Sequence, residues 1–394
     1  MAGPAAGAGG TLTVRLALLL FKYFPYGGMQ RDFARIAAEL QRRGHHCRVY
    51  CLSWQGEHLA GVDLRLVPAG GITNVRRSQH YLRRVQADLA ADPVDGVIGF
   101  NRMPGLDVYF AADPCFLDKA RRGRPWWYRL TPRFRHFARW ERAVFEPAAA
   151  TEILLIAATE QRKFEHCYHT PAARLHLLPP GIAGDRRAPP DAPAVRAQAR
   201  ESLGLVDSEY TLLAVGSGFV TKGLDRAIGA LARLQAQQPQ RRLCLLVAGQ
   251  DREQPFRLLA RRLGVARQVR FLGGRDDIPA LLLAADLLVH PARSEAAGRV
   301  LLEALVAGLP VVATAACGYA GHIASAGAGI VLPEPFREAD FDAALVRAQD
   351  PGFGARCRRN ALAYAAREDL YSMHDTAARL IEQAVARKAG GSHG

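Results

Sequence analysis

The feature that most constrains this chain is a pattern that occurs twice: short apolar runs, each followed by a glycine-bearing turn and an amphipathic helix. Residues 14–21 form a continuous apolar segment, followed by Tyr26-Gly27-Gly28 and then Phe33, Ile36, Ala37 and Leu40 at helical spacing. Gly44 ends that helix, and residues 45–52 alternate and are rich in β-formers, so the chain opens as strand, turn, helix, strand. Further strands are expected at 96–100 and 152–157. A Pro/Asp/Ala-rich stretch from Leu178-Pro179-Pro180-Gly181-Ile182 to about Val195 reads as an interdomain linker. The pattern then resumes, with strands expected at 211–215, 243–248, 268–272, 287–290 and 310–313 and helices between them. This is α/β, doubly wound grammar in two Rossmann-like halves.

With 394 residues, 49% hydrophobic and 23% charged, the chain exceeds the usual size of one domain, in keeping with two. The net charge of +15 calls for an anionic partner: nucleic acid, an acidic membrane or a phosphorylated substrate. The cysteines (Cys47, Cys51, Cys115, Cys167, Cys244, Cys317, Cys357) are odd in number and scattered, which reads as reduced, structural thiols in a cytosolic protein. Residues 1–13 are expected to be a disordered extension. The apolar run at 16–21 is too short to span a bilayer or to serve as a signal segment, so the protein is expected to be soluble or peripheral.

In open α/β sheets ligands bind beyond the carboxyl ends of strands, which directs attention to particular loops. At Gly27-Gly28 the backbone is open to a ligand and a helix N-terminus follows, although a plain tight turn would look the same. The second loop, Gly216-Ser217-Gly218-Phe219-Val220-Thr221-Lys222-Gly223, carries a cation into a helix, where it could meet a diphosphate or merely be solvated. The third runs from His290 through Glu295, Gly298 and Arg299 to Glu303-Ala304, with its two carboxylates eight residues apart. Glu303 interrupts Val300, Leu301, Leu302, Ala304 and Leu305, which suggests a bound hydroxyl partner; a solvated helix edge is the plainer alternative. The one Asp-x-Asp, Asp340-Phe341-Asp342, reads as a helix start rather than a metal site, and no metal is assigned.

The Glu295-x7-Glu303 spacing with Gly298 between resembles the signature of retaining GT-B glycosyltransferases, which have two facing Rossmann-like domains with a cleft between them. Three further stretches extend the likeness over most of the chain: 21–33 (FKYFPYGGMQRDF), 99–113 (GFNRMPGLDVYFAAD) and Cys317-Gly318-Tyr319. They resemble the lipopolysaccharide core glucosyltransferase I family, family 4 enzymes that add α-1,3-linked glucose from UDP-glucose to an inner-core heptose. The resemblance implies that Glu295 lies near the donor sugar hydroxyls, Glu303 binds the ribose, and Lys222 and Gly28 meet the phosphates. It also implies that Asp32 helps hold the sugar and that Asp113 lies in the catalytic cleft. The expected domains are 14–183 for the acceptor and membrane, 184–365 for the nucleotide sugar, and a tail, 366–394, whose helix packs back on the first domain. No cofactor is expected beyond the UDP-sugar co-substrate, and transfer is expected to be metal-independent. Ser217 and Thr221 stand where many relatives carry cations; Arg299 is the candidate to compensate.

Residues 116–146 hold nine cations (Lys119, Arg121, Arg122, Arg124, Arg129, Arg133, Arg135, Arg139, Arg142) against Asp118, Glu141 and Glu146, a net +6, and three of the four tryptophans (Trp126, Trp127, Trp140). Thr131-Pro132 should start an amphipathic helix with Phe134, Phe137, Trp140 and Val144 on one face. An inward-packed helix with solvated arginines would show the same pattern, but the concentration of tryptophan favours an interfacial segment on anionic inner-membrane lipids, at the cytoplasmic face. Nucleic acid is not expected as a partner, because no RNP, zinc-finger or helix-turn-helix pattern is present. Another UDP-sugar (galactose or an N-acetylhexosamine), another glycolipid acceptor, or a non-catalytic adaptor are the competing readings; the oligomeric state is left open.

Overall fold

A computed structural model of the chain describes residues 13–25, 27–68 and 70–391. The expected disordered extension, apart from Thr13, and Tyr26 lie outside the described residues. The chain forms two compact units, one running to Gly181 and including the segment from Ser372 onward, the other Ile182–Tyr371.

The first unit is built on seven parallel strands: β1 (Arg15–Tyr23), β2 (His46–Trp54), β3 (Asp63–Leu66), β4 (Gly96–Gly99), β5 (Val108–Ala111), β6 (Glu152–Leu155) and β7 (Leu175–Leu177), in the order β3-β2-β1-β4-β5-β6-β7. The second has six: β8 (Tyr210–Val215), β9 (Leu243–Ala248), β10 (Val269–Gly273), β11 (Leu287–His290), β12 (Val311–Thr314) and β13 (Gly329–Leu332), ordered β10-β9-β8-β11-β12-β13. Every strand pair in both sheets is parallel. Parallel sheets are covered on both faces, so their central strands read as unbroken apolar runs, and Leu16–Leu20 and all of β9 and β11 are buried. In each sheet the strand order reverses once, between β1 and β4 and between β8 and β11. The loops leaving these four strands lie at the strands' carboxyl ends, where open α/β sheets bind their ligands.

The strands expected from apolar runs are present. β3, β5, β7 and β13, each three or four residues long, are additional to those expected. Nor was the helix Asn74–Ala91, which buries only Ser78, Tyr81 and Val85 along an otherwise polar sequence. The proposed linker needs correction at its end, because a helix, Ala192–Ser202, begins inside it. Two arginines seat that helix: Arg196 donates to the carbonyls of Leu283, Ala284 and Ala285 (2.7, 3.0 and 2.7 Å), and Arg200 to those of Ala284, Val206 and Glu209. The last helix, Met373–Gly391, packs within the first unit, where Glu382 meets Arg43 and His45, and Arg387 meets Glu152.

The basic segment forms a helix Phe116–Gly123, a 3-10 turn Trp126–Leu130 and a helix Pro132–Phe145, the last capped by the Thr131 hydroxyl accepting from the Phe134 N–H. Beneath it lies Glu141, whose side chain is wholly buried. Its carboxylate accepts from the Phe116 and Leu117 N–H groups (2.7 and 2.9 Å) and the Tyr168 hydroxyl (2.5 Å), and contacts the Arg102 guanidinium. Glu160 takes the neighbouring Cys115 N–H at 2.8 Å. Two buried carboxylates therefore satisfy the free amides at the start of Phe116–Gly123, and the helix dipole favours both. Removing one partner of such a buried pair strands the other charge, so Glu141→Ala is expected to lower unfolding free energy by about 3–5 kcal/mol. Denaturant unfolding of the full chain would measure this; a loss below about 1 kcal/mol would show that the network does not hold the segment.

Candidate active site

In the second unit, β8 and β11 pair directly, Leu212 with Leu287 and Leu213 with Leu288, so the loops that follow them leave side by side. The loop after β8 turns through Gly216, Gly218 and Gly223, all at positive φ, around a short helix Phe219–Lys222. Gly223 is required on two counts: its φ is +73°, and a Cβ there would fall 2.0 Å from the Pro291 carbonyl oxygen. The two loops thus touch backbone to backbone. Further ties come from the Arg293 N–H to the Thr221 carbonyl (2.8 Å), Arg293 to Asp225 (2.6 Å), and Arg226 to the Pro291 carbonyl (3.0 Å).

Within this frame the Lys222 ammonium contacts the Glu295 carboxylate, with both side chains only partly exposed. Glu295 sits on a strap: its N–H bonds the Ala316 carbonyl, its carbonyl accepts from Gly318, and Tyr319 N–H bonds the Ala297 carbonyl (3.2, 3.1 and 2.7 Å). This gives the Cys317-Gly318-Tyr319 motif a concrete role as the backbone partner of the Glu295 loop. Gly298, at φ +81°, starts the helix Arg299–Val306, and a Cβ there would lie 2.5 Å from the Leu301 side chain. Arg299 is partly buried at the helix's first position. Glu303 is 8% exposed among residues that are all buried from Val300 to Val306. Burial opposes ionisation of Glu295, but the adjoining His290 ring and the Lys222 charge outweigh it and hold the pKa down to about 2.

A small pocket beside the pair is lined by Gly216, Phe219, Lys222, Val289, His290 and Pro291 among others. Ser217, at the position expected to carry a cation, accepts instead from the Gln250 N–H at 3.3 Å. Asp342, in the helix Glu338–Ala348, is taken by Arg233 (2.6 and 3.0 Å). Sequence reasoning missed His290, Arg226 and Arg293. Arg226 stands four residues after Lys222, but Gly223 at φ +73° separates the helix that ends at Lys222 from the helix Leu224–Gln237, so no helical period links the two.

The first unit carries Gly28, Asp32 and Asp113. Gly28 begins the helix Gly28–Arg42, and open space surrounds its missing Cβ. Asp113 follows β5, half exposed, with Arg102 at 3.8 Å. Asn101 joins the two motifs quoted from this half of the chain by accepting the Phe21 N–H at 2.8 Å. Asp32 is 3% exposed and hydrogen-bonds His374 at 2.9 Å, so the carboxylate assigned to the sugar has a protein partner here. The membrane face also needs correction. Trp140 is 2% exposed and packs on His136 (ring centroids 4.5 Å apart) and Phe21, with Val144 buried beside it. Trp126, Trp127 and Leu130 are 75, 55 and 58% exposed, and Arg121, Arg122, Arg124, Arg133, Arg135 and Arg139 are exposed around them.

Residues 26–186 match the family Glycosyltransferase Family 4, and residues 195–368 match Glycosyl transferases group 1. Over 93% of its length and 98% of the relative's, the chain is 45% identical to the Escherichia coli protein named lipopolysaccharide glucosyltransferase WaaG. The chain belongs to the WaaG family of GT-B glycosyltransferases. The crystal structure of WaaG, a glycosyltransferase involved in lipopolysaccharide biosynthesis, superposes with a TM-score of 0.88 at 44% identity, covering 93% of this chain and 99% of that one. Anabaena HepE in complex with UDP and glucose shares the fold, with a TM-score of 0.70 at 19% identity over 94% of this chain and 100% of that one.

The pair leaves a titration signature. A carboxyl whose pKa falls from 4.5 to about 2 on folding stabilises the native state above 4.5, and that stabilisation is lost as pH falls toward 2. In Lys222→Met, Glu295 loses its cation. The stability advantage of wild type over that variant should therefore shrink between about pH 4.5 and 2 in unfolding titrations. A difference independent of pH would show that Lys222 does not hold the carboxylate ionised.

Proposed function

We propose that this chain transfers glucose from UDP-glucose, with retention and in α-1,3 linkage, to a heptose of the lipopolysaccharide inner core, at the cytoplasmic face of the inner membrane. The observation that carries this reading is 45% identity to a lipopolysaccharide glucosyltransferase over nearly the whole of both chains. The second unit is the donor side. Lys222 and the amides at the start of the helix it enters meet the diphosphate, Glu295 the sugar hydroxyls and Glu303 the ribose; Arg299 is the candidate second cation. No step of this reading calls on a metal, because the cation and the amides supply the positive charge. As the glycosidic bond breaks, the departing diphosphate oxygen takes the acceptor proton on the same face of the sugar. The first unit supplies the acceptor side, with Asp113 beside the reacting heptose and Gly28 offering its helix amide to a phosphate.

Transfer to truncated, heptose-terminated lipopolysaccharide, assayed with a panel of UDP-sugars, tests the reading. Glucose is the expected donor sugar, and Lys222→Ala and Glu295→Ala are expected to lower the rate about 10²–10³-fold. No transfer from any UDP-sugar by the folded protein would overturn it. An unchanged UDP affinity in Arg299→Ala would remove Arg299 from the account.

The exposed Trp126, Trp127 and Leu130, in a stretch whose arginines are also exposed, support docking on anionic lipid. Among the described residues no helix is long and apolar enough to cross a membrane. At about 1 kcal/mol per cation near the surface, a few of these arginines suffice for reversible attachment. Flotation with vesicles containing phosphatidylglycerol should recover the protein at low salt and lose it as salt rises. Trp126→Ser with Trp127→Ser should weaken binding, whereas Trp140→Phe should not. Equal binding to neutral vesicles would sink the electrostatic part.

A further inference from the structure

His290 is the last residue of β11, at the sheet's switch point, and its ring is 1% exposed. Its Nε2 is buried and has no hydrogen-bond partner among the described residues. That nitrogen faces Glu295 Oε2 at 3.7 Å, just beyond hydrogen-bond range. The same Oε2 contacts the Lys222 ammonium, so one carboxylate oxygen lies between a paired cation and an unpaired imidazole. A buried polar nitrogen with nothing to bond is costly, and its presence beside a charged group that can move is the observation to be explained.

On the reading that Lys222 meets the donor diphosphate, the ammonium turns toward the phosphate oxygens and its hold on Glu295 weakens. The carboxylate would then be left in a largely buried place without a counter-charge. We propose that His290 is a positioning residue which receives Glu295: when the diphosphate takes Lys222, Glu295 closes onto the Nε2–H of a neutral His290. A shift of under 1 Å brings the 3.7 Å separation into hydrogen-bond range. The exchange assigns the ring its Nε2–H tautomer. It keeps one carboxylate oxygen occupied and leaves the other free to accept a sugar hydroxyl. Burial and the nearby Lys222 charge hold the ring below its ordinary pKa and favour the neutral form, although Glu295 works in the opposite direction. Lys222 and Glu295 are the charged groups that face the ring; Gly216, Phe219, Val289 and Pro291 supply the rest of the pocket.

The test is side-chain 15N and 1H NMR of the full-length protein with UDP as the probe. UDP should move the His290 Nε2–H proton downfield, and Lys222→Met should show the moved signal before any UDP is added. His290→Phe, which removes the donor, should lower glucose transfer about 10- to 100-fold, the equivalent of one hydrogen bond to a charged group. His290→Gln, which can return an N–H near the same point, should recover most of that loss. A His290 signal unmoved by UDP, in protein whose UDP affinity still depends on Lys222, overturns the exchange and leaves the diphosphate assignment standing. UDP affinity unchanged in Lys222→Met overturns the assignment itself. The wild-type spectra decide the matter even if a His290 variant fails to fold.

Discussion

The second unit depends on the backbone contact between the loop after β8 and the loop after β11. Gly223 can lie against the Pro291 carbonyl because it has no Cβ, and that close approach sets the distance across which Lys222 and Glu295 meet. The ion pair is not what holds the loops together. Exposed pairs contribute about 0–1 kcal/mol, and a partly exposed one is still screened by solvent. The lacing through Arg293, Thr221, Asp225 and Arg226 is more extensive, and none of it uses the Lys222 or Glu295 side chain. A cation and an anion are thus held at contact distance by a frame that does not need their attraction, so either can change partner without the frame giving way.

The first unit solves a different problem. The loop leaving its switch-point strand β4 carries Arg102, which pairs with Glu141 and approaches Asp113, and a dense run of cations follows Asp113. That segment is fixed from below, with Glu141 and Glu160 taking the amides at its start and Arg102 spanning Glu141 and the Pro114 carbonyl at 2.8 Å. Arg102 belongs to the same run of residues as Asn101, which reaches back to β1. The stretch 99–113 therefore positions both the end of the first strand and the start of the basic segment.

The two-sheet architecture was legible because buried parallel strands are unbroken apolar runs, and β9 and β11 were located to the residue. The loops after β8 and β11 stood out because clustered glycines, a lysine beside them and a glutamate in an apolar helix each break a local pattern. What escaped notice conforms to its local pattern. His290 looks like the end of a strand, and Arg226 and Arg293 look like solvated charges until the carbonyls they reach are known. Arg196 and Arg200 turned a composition that reads as linker into a seated helix, by contacts to residues more than eighty positions away. Long-range satisfaction of backbone carbonyls leaves no mark on local periodicity.

Trp140 shows why an amphipathic stripe does not say what it faces. Phe134, Phe137, Trp140 and Val144 form one apolar face, and a sheet beside the helix covers such a face as well as a lipid surface does. Trp140 and Val144 went inward. The exposed aromatics lie in the Trp126–Leu130 turn, where no helical period identifies them. The acids of this segment are distributed to the same effect. Asp118 and Glu146 pair with Arg122 and Arg142 one turn away, whereas Glu141 is buried and matched by Arg102 from outside the segment. The solvent side therefore presents nine cations against two acids, a net of +7 where the sequence count gives +6. Folding the one internal acid inward makes the exposed surface more cationic than its composition, and it does so in the stretch that also exposes two tryptophans.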